Sequence, residues 1–150
     1  ATAAGRAAAV QRARDGRALV VTPHAGEAAR LAAGARIGAA EPCALAEGLS
    51  RAYGCVVVLK GPVTHIAAPG LPTLLMDQGT PALAKAGTGD VLAGAIGALL
   101  AQGLAPRDAA ALGATLHALA GRAAAEKVGA LSVTAVDVAE SLPEAIRSLS

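Results

Sequence analysis

The run Ala86-Gly87-Thr88-Gly89-Asp90 sets two glycines and a carboxylate around one turn, just ahead of a strongly apolar stretch. Gly87 and Gly89 can present backbone N–H groups with no side chain in the way. Where such a turn opens a helix, the unsatisfied amides and the helix dipole both favour an anion. The arrangement suits a phosphoryl group whose charge grows during transfer. Gly87, Thr88 and Gly89 are therefore candidates for a phosphate-binding anion hole. Asp90 stands at its mouth, where a carboxylate can orient an attacking hydroxyl and take its proton late in the transfer. The plain alternative is a helix start with an acid in its first turn and no chemistry.

Two further groups follow apolar runs directly. Lys60-Gly61-Pro62-Val63-Thr64 comes after Cys55-Val56-Val57-Val58-Leu59. Ligands of open α/β sheets bind beyond the carboxyl ends of strands. There Lys60 can neutralise phosphate as a point charge, Gly61 allows close backbone approach and Thr64 offers a hydroxyl. A hairpin turn with a solvated Lys would read the same way. Thr22-Pro23-His24-Ala25-Gly26-Glu27 follows Ala18-Leu19-Val20-Val21. His24 can hydrogen-bond a ligand, and Glu27 can hold a water or a metal through phosphate. A loop His and a first-turn helix acid are the structural readings. His65 and His117 are assigned structural places, His117 beside an apolar helical stripe.

The elements that must position these groups alternate between strand and helix. Residues 3–13 have helical composition and stop at Asp15-Gly16. The runs at 18–21 and 55–59 read as buried parallel strands. A helix spans 27–33 and closes at Gly34, and another opens at Glu41-Pro42 and ends near Gly54. Residues 63–67 return as a strand, Pro69-Gly70 turns, and 71–76 form a short strand or a loop. After the glycine-punctuated loop 79–89, a buried apolar helix starts at Asp90. A long helix at 106–128 carries a stripe through Ala109, Leu112, Leu116, Leu119 and Ala123. Thr134 and Asp137 form a capping pair for a last helix reaching about Leu149. This alternation predicts an α/β layer fold with a parallel sheet, in one domain without a linker. The strands are few for such a sheet, so others lie upstream or on a partner chain.

Composition narrows the classes. Of 150 residues, 54% are hydrophobic and 16% charged, enough for a core and too little charge for a disordered chain. Tyr53 is the one aromatic residue, so the core is built from Ala, Val, Leu and Ile. A net charge of +2 from scattered basic residues, with no aromatics for base stacking, argues against nucleic acid. Cys43 and Cys55, with no His cluster, read as two buried thiols in a reducing cytoplasm. The charge-free stretch 91–105 is too short and glycine-rich for a membrane span. The chain opens without Met on Ala-rich sequence, which suggests a processed or truncated product.

TPHAGEAARL, VVVLKGPVTHI and GTPALAKAGTGDVLAGAIGALLAQG, in that order, resemble blocks of the NAD(P)H-hydrate dehydratases. The tail, from DAAALGATLHALAGRAA to SVTAVDVAESLPEAI, is similar to that family's closing helices. The GxGD element is common to the wider ribokinase-like superfamily, and TPHxGE is the more specific block. The resemblance implies a three-layer ribokinase-like α/β fold with a mostly parallel sheet, truncated here on the N-terminal side. Residues 1–150 would be the C-terminal, nucleotide-binding and catalytic part of a single domain. It implies ADP- or ATP-dependent dehydration of the S-form of hydrated NADH or NADPH, by phosphorylation of the ring hydroxyl and elimination of phosphate. His24 and Asp90 would contact the hydrated dinucleotide, and Lys60, Gly61, Pro62, Val63, Thr64 and Gly89 the ADP or AMP. Mg²⁺ would bridge the phosphates, with no protein ligand to a metal assigned.

Thr80 and Lys85 depart from the family's usual Asn and small residue, and Lys85 adds a positive charge beside the anion hole. Expected partners are an upstream half of the same domain, an NAD(P)H-hydrate epimerase and further copies in a homo-oligomer, all cytoplasmic. A ribokinase-like small-molecule kinase would explain the GxGD turn but not the TPHAGE block. A non-catalytic nucleotide-binding module is the third reading.

Overall fold

The computed structural model describes residues 2–38 and 40–149, so both ends of the expected 1–150 span lie outside it. The described residues form two compact units that divide between Leu75 and Met76. The first begins with α1 (Ala3–Arg14), whose Thr2 hydroxyl accepts from the Gly5 amide. β1 (Val20–Val21), α2 (Ala25–Ala35), α3 (Pro42–Tyr53), β2 (Val56–Leu59) and β3 (Thr64–Ala67) follow. With β4 (Leu74–Met76) the strands make a sheet in the order β1-β2-β3-β4.

β1 and β2 are parallel, with Val20 opposite Val56 and Val21 opposite Val57. β2 and β3 are antiparallel, with Val58 opposite Ile66. The sheet is therefore mixed, not mostly parallel as the strand–helix alternation predicts. The cause is the short Lys60–Val63 connection. A hairpin needs only a few residues, whereas a parallel return needs a crossover of about a dozen. Every residue of β2 is buried, as a β-branched run enclosed on both faces should be. α3 packs on β2 and β3 and carries α1 and α2 on its flanks. Leu49, Val57, Ala28 and Ala46 are fully buried in this core.

α2 runs past Gly34, where the sequence predicts its end. Arg36 takes the left-handed conformation (φ 55°) instead. The Ile37 amide bonds to the Ala32 carbonyl and the Arg36 amide to Ala33, the bonding of a Schellman cap. Ile37 packs against the core, and that apolar anchor sets the reversal, so the glycine is not needed for it. α3 keeps its expected bounds, with Pro42 in its first turn and Gly54 closing it at φ 62°.

The second unit is helical: α4 (Thr88–Ala101), α5 (Pro106–Val128) and α6 (Ala135–Arg147), preceded by a 3₁₀ turn, Pro81–Leu83. α5 packs against both α4 and α6. Having two partners spreads its buried face beyond the expected stripe, of which Ala109 and Leu116 are buried. Leu112, Leu119 and Ala123 are only half-buried, while Ala110, Gly113, Ala114, Ala118, Gly121 and Ala124 are buried. Small residues let the helices approach closely. A Cβ on Gly113 would lie 2.6 Å from Ile96 Cγ1, and one on Gly121 2.6 Å from Leu83 Cδ2.

α4 starts at Thr88, two residues ahead of the expected Asp90, and is not buried throughout. It buries Thr88, Leu92 and Ile96 but exposes Ala93, Gly94, Gly97 and Ala98. Leu92 and Ile96 make its buried face and small residues its exposed one, and those small residues count as apolar in composition although they face outward. Thr134 and Asp137 form the expected capping box of α6. No helix among the described residues is long and apolar enough to cross a membrane.

Candidate functional site

Because β1 and β2 run parallel, the chain leaves both at the same edge of the sheet. The Lys60 amide donates to the Pro23 carbonyl at 2.9 Å, and His24 and Lys60 form a parallel bridge. Two of the three motifs therefore lie side by side at the carboxyl ends of adjacent strands, the position expected for a ligand site.

His24 caps α2. Its Nδ1 accepts from the amides of Gly26 (3.1 Å) and Glu27 (3.3 Å), and the Glu27 carboxylate accepts from the His24 amide at 2.9 Å. Nδ1 is thus an acceptor, and the neutral ring carries its proton on Nε2. That nitrogen lies 3.5 Å from Glu27 Oε2, on a side chain 57% exposed, so the donor end of the ring is open to a ligand. Glu27 is held below its ordinary value chiefly by the hydrogen bond from the His24 amide; burial opposes this, and the weaker pull of the Lys60 and Arg30 charges adds to it. Its carboxylate serves the cap, which leaves less of it for the water or metal suggested by sequence. Among the described residues no group of three His, Cys, Asp or Glu side chains could hold a metal.

An open cleft of about 400 Å³ lies beside this edge, lined by Thr22, Pro23, Glu27 and Arg30. Lys60 is half-buried, Gly61, Pro62 and Val63 are exposed, and Thr64 is buried as the first residue of β3. The backbone of the Lys60–Thr64 loop is therefore more accessible than the Thr64 side chain. His65 Nδ1 donates to the Val63 carbonyl at 3.1 Å, the structural place expected of it.

The glycine turn lies in the second unit. Gly87 has φ 86° and ψ −18° and is the N-cap of α4. A side chain is disfavoured there, and a Cβ would also approach Ala135 Cβ to 3.0 Å. The Gly87 carbonyl accepts from the amides of Asp90 (3.0 Å) and Val91 (3.3 Å). The amides of Gly87 and Gly89 donate to none of the described residues. Gly87 is exposed, Gly89 half-buried and Asp90 exposed. Bare donors at a helix start, with an accessible carboxylate beside them, are what the sequence predicts here.

Thr88 differs from its expected part in the anion hole. Its side chain turns inward, where Oγ1 lies 2.6 Å from the Leu83 carbonyl and 2.9 Å from that of Lys85. Its amide makes a long contact, 3.4 Å, to the Lys85 carbonyl. The Lys85 ammonium donates to the Leu131 carbonyl at 2.9 Å, so its charge is anchored to the loop before α6. His117, placed by its sequence beside the apolar stripe of α5 in a structural role, lies 2.8 Å from the Thr88 carbonyl through Nε2. Sequence gives no sign of that pairing, because the partners are 29 residues apart.

The chain is an α/β protein whose fold is ribokinase-like, as its likeness to solved structures shows. The chain superposes on a ribokinase-like superfamily protein from Enterococcus faecalis with a TM-score of 0.73 and 27% identity, covering 96% of this chain and 51% of that one. Within that class, residues 5–144 match the NAD(P)H-hydrate dehydratase family, and the chain belongs to it. It is 41% identical over 139 residues to the ADP-dependent (S)-NAD(P)H-hydrate dehydratase of Cenarchaeum symbiosum, covering 89% of this chain and 46% of that protein. The ADP/ATP-dependent NAD(P)H-hydrate dehydratase of Bacillus subtilis, co-crystallized with ATP/Mg²⁺, gives a TM-score of 0.80 at 29% identity, with 89% of this chain and 49% of that one covered. The chain spans about half the length of these relatives.

Proposed function

We propose that this chain is the nucleotide-binding and catalytic part of an enzyme that uses ADP or ATP to dehydrate the S-form of hydrated NAD(P)H. Both units would belong to one catalytic domain, completed to family length by further sequence and working beside an NAD(P)H-hydrate epimerase. The observation that carries the reading is the pair of unbonded amides, Gly87 and Gly89, at the start of α4 beside the exposed Asp90.

The terminal phosphoryl group of the nucleotide is held by those amides, whose donors strengthen as charge develops on its oxygens. The hydroxyl oxygen of the hydrate attacks phosphorus, the bond to the departing nucleotide breaks, and the hydroxyl proton passes to the Asp90 carboxylate. The phosphorylated intermediate then loses phosphate and a ring proton, restoring the double bond of the reduced nicotinamide. His24 offers Nε2–H to the hydrate. The Lys60–Thr64 backbone and the Lys60 charge hold the nucleotide, assisted by Gly89. Mg²⁺ would be carried on the nucleotide phosphates, which need few protein ligands, and would shield their charge.

The test is recovery of NADH absorbance from the purified S-hydrate by the family-length protein. Recovery that requires ADP or ATP supports the reading. A stable phosphorylated alcohol from another substrate, with no hydrate turnover, would replace it with a small-molecule kinase.

A further inference from the structure

The two candidate phosphate donors flank one residue, Thr88, and that residue is tied from both ends. Thr88 is 4% exposed. Its single hydroxyl proton is shared between two acceptors in the segment before the turn, the carbonyls of Leu83 and Lys85. A carbonyl only accepts, so the 2.8 Å contact with His117 is a bond donated by Nε2–H, which fixes the ring tautomer. His117 is itself 8% exposed, in the middle of α5. One side chain thus fastens the turn to its own approach, and a second fastens the first helical carbonyl of α4 to the neighbouring helix.

We propose that Thr88 and His117 are positioning residues that hold the Gly87 and Gly89 amides ready for a phosphoryl group. This rests on the reading of those amides as phosphate donors. A glycine-rich turn left to itself samples many backbone conformations. A ligand that must first order such a turn binds more weakly, because ordering opposes association. The ties remove that freedom before the ligand arrives. They act at the residue between the two donors, and neither side chain touches the ligand. Lys85 adds an outer tie through its ammonium on the Leu131 carbonyl.

The experiment uses the intact protein labelled with ¹⁵N-glycine. Heteronuclear relaxation of Gly87 and Gly89 is recorded without ligand, followed by titrations with ADP and with adenosine. Wild type, Thr88→Val and His117→Leu are compared with the conservative variants Thr88→Ser and His117→Gln, which keep a donor. Loss of either tie should make both glycine amides mobile on the ps–ns timescale. It should lower ADP affinity at least tenfold while changing adenosine affinity less than twofold, and Ser or Gln should restore both. Unchanged glycine relaxation in Thr88→Val and His117→Leu overturns the proposal, as does an equal loss of ADP and adenosine binding. If Thr88→Val does not fold, Thr88→Ala is read by the same criteria. If ADP leaves the wild-type Gly87 and Gly89 signals unmoved, the anion reading fails. The relaxation comparison still decides whether the ties order the turn.

Discussion

At the carboxyl ends of β1 and β2, positive charge comes from side chains, Lys60 with Arg30 nearby. At the start of α4 it comes from the backbone. The strand edge is framed by pairing between β1 and β2, and His24 and Glu27 satisfy one another there in a local capping box. The glycine turn is framed only in part by local bonds, those of the Thr88 hydroxyl to Leu83 and Lys85. Its geometry depends on Thr88, on His117 in another helix and on Lys85 reaching a third loop. A charge on a side chain survives small backbone movements, whereas bare amides serve only in one conformation. The turn should therefore be the more brittle of the two regions, and the substitutions below test that difference.

The largest effect is expected at Asp90. Asp90→Asn should lower turnover of the hydrate by roughly 10²–10⁴-fold, the usual contribution of a positioned acid or base. ADP affinity should stay within about twofold, measured by steady-state kinetics and calorimetry. Full activity in this variant would remove Asp90 from the chemistry and favour a non-catalytic nucleotide-binding module. Next is Gly87→Ala. A side chain at φ 86°, meeting Ala135, should destabilise the second unit by about 1–2 kcal/mol. Thermal unfolding would register that loss, with weakened ADP binding alongside it. An equally severe result from Gly61→Ala would deny that the turn is the more brittle region. Gly61 has ordinary backbone angles, and its Cβ would meet only the Val63 carbonyl, at 3.2 Å.

His24 allows its two roles to be separated. His24→Ala should cost about 1 kcal/mol as a lost helix cap, whereas His24→Asn keeps a capping side chain. Both variants lose the outward Nε2–H and should raise KM for the hydrate by a similar factor. A normal KM in either would confine His24 to capping. The smallest effect concerns pH. Glu27 has a lowered folded value against an ordinary 4.5. The ionised cap therefore adds stability above the unfolded value, and that addition is lost as pH falls through the lowered folded one. Amide exchange in the first turn of α2 should quicken in that acid range, and Glu27→Gln should flatten the change.

Much of this was legible in single residues. Pro106 and the apolar stripe that follows it gave α5, and the Thr134–Asp137 pair gave the cap of α6. The β-branched run at 56–59 gave β2, and all three candidate site segments were visible as motifs following apolar runs or preceding one. The antiparallel return of β3 could also have been read, since its connection is too short for a crossover. Other features had no local signal. The end of α2 at Arg36 depends on where Ile37 finds its core contact. The exposed face of α4 is made of the same small residues that elsewhere line helix contacts. The inward turn of Thr88 and its link to His117 depend on a partner in another helix, and periodicity can indicate a face but not what it meets.

Tyr53 is the only aromatic side chain in the sequence. It is 7% exposed in the core of the first unit, with its hydroxyl donating to the Leu31 carbonyl at 2.9 Å. Intrinsic ultraviolet emission therefore arises from that unit alone, and the helical unit that carries the glycine turn is optically silent. A chromophore introduced near α6 would give each half its own colour, so that melting of one could be followed without interference from the other. With no tryptophan in the chain, the fluorescence of a reduced nicotinamide could be followed against a nearly dark protein background.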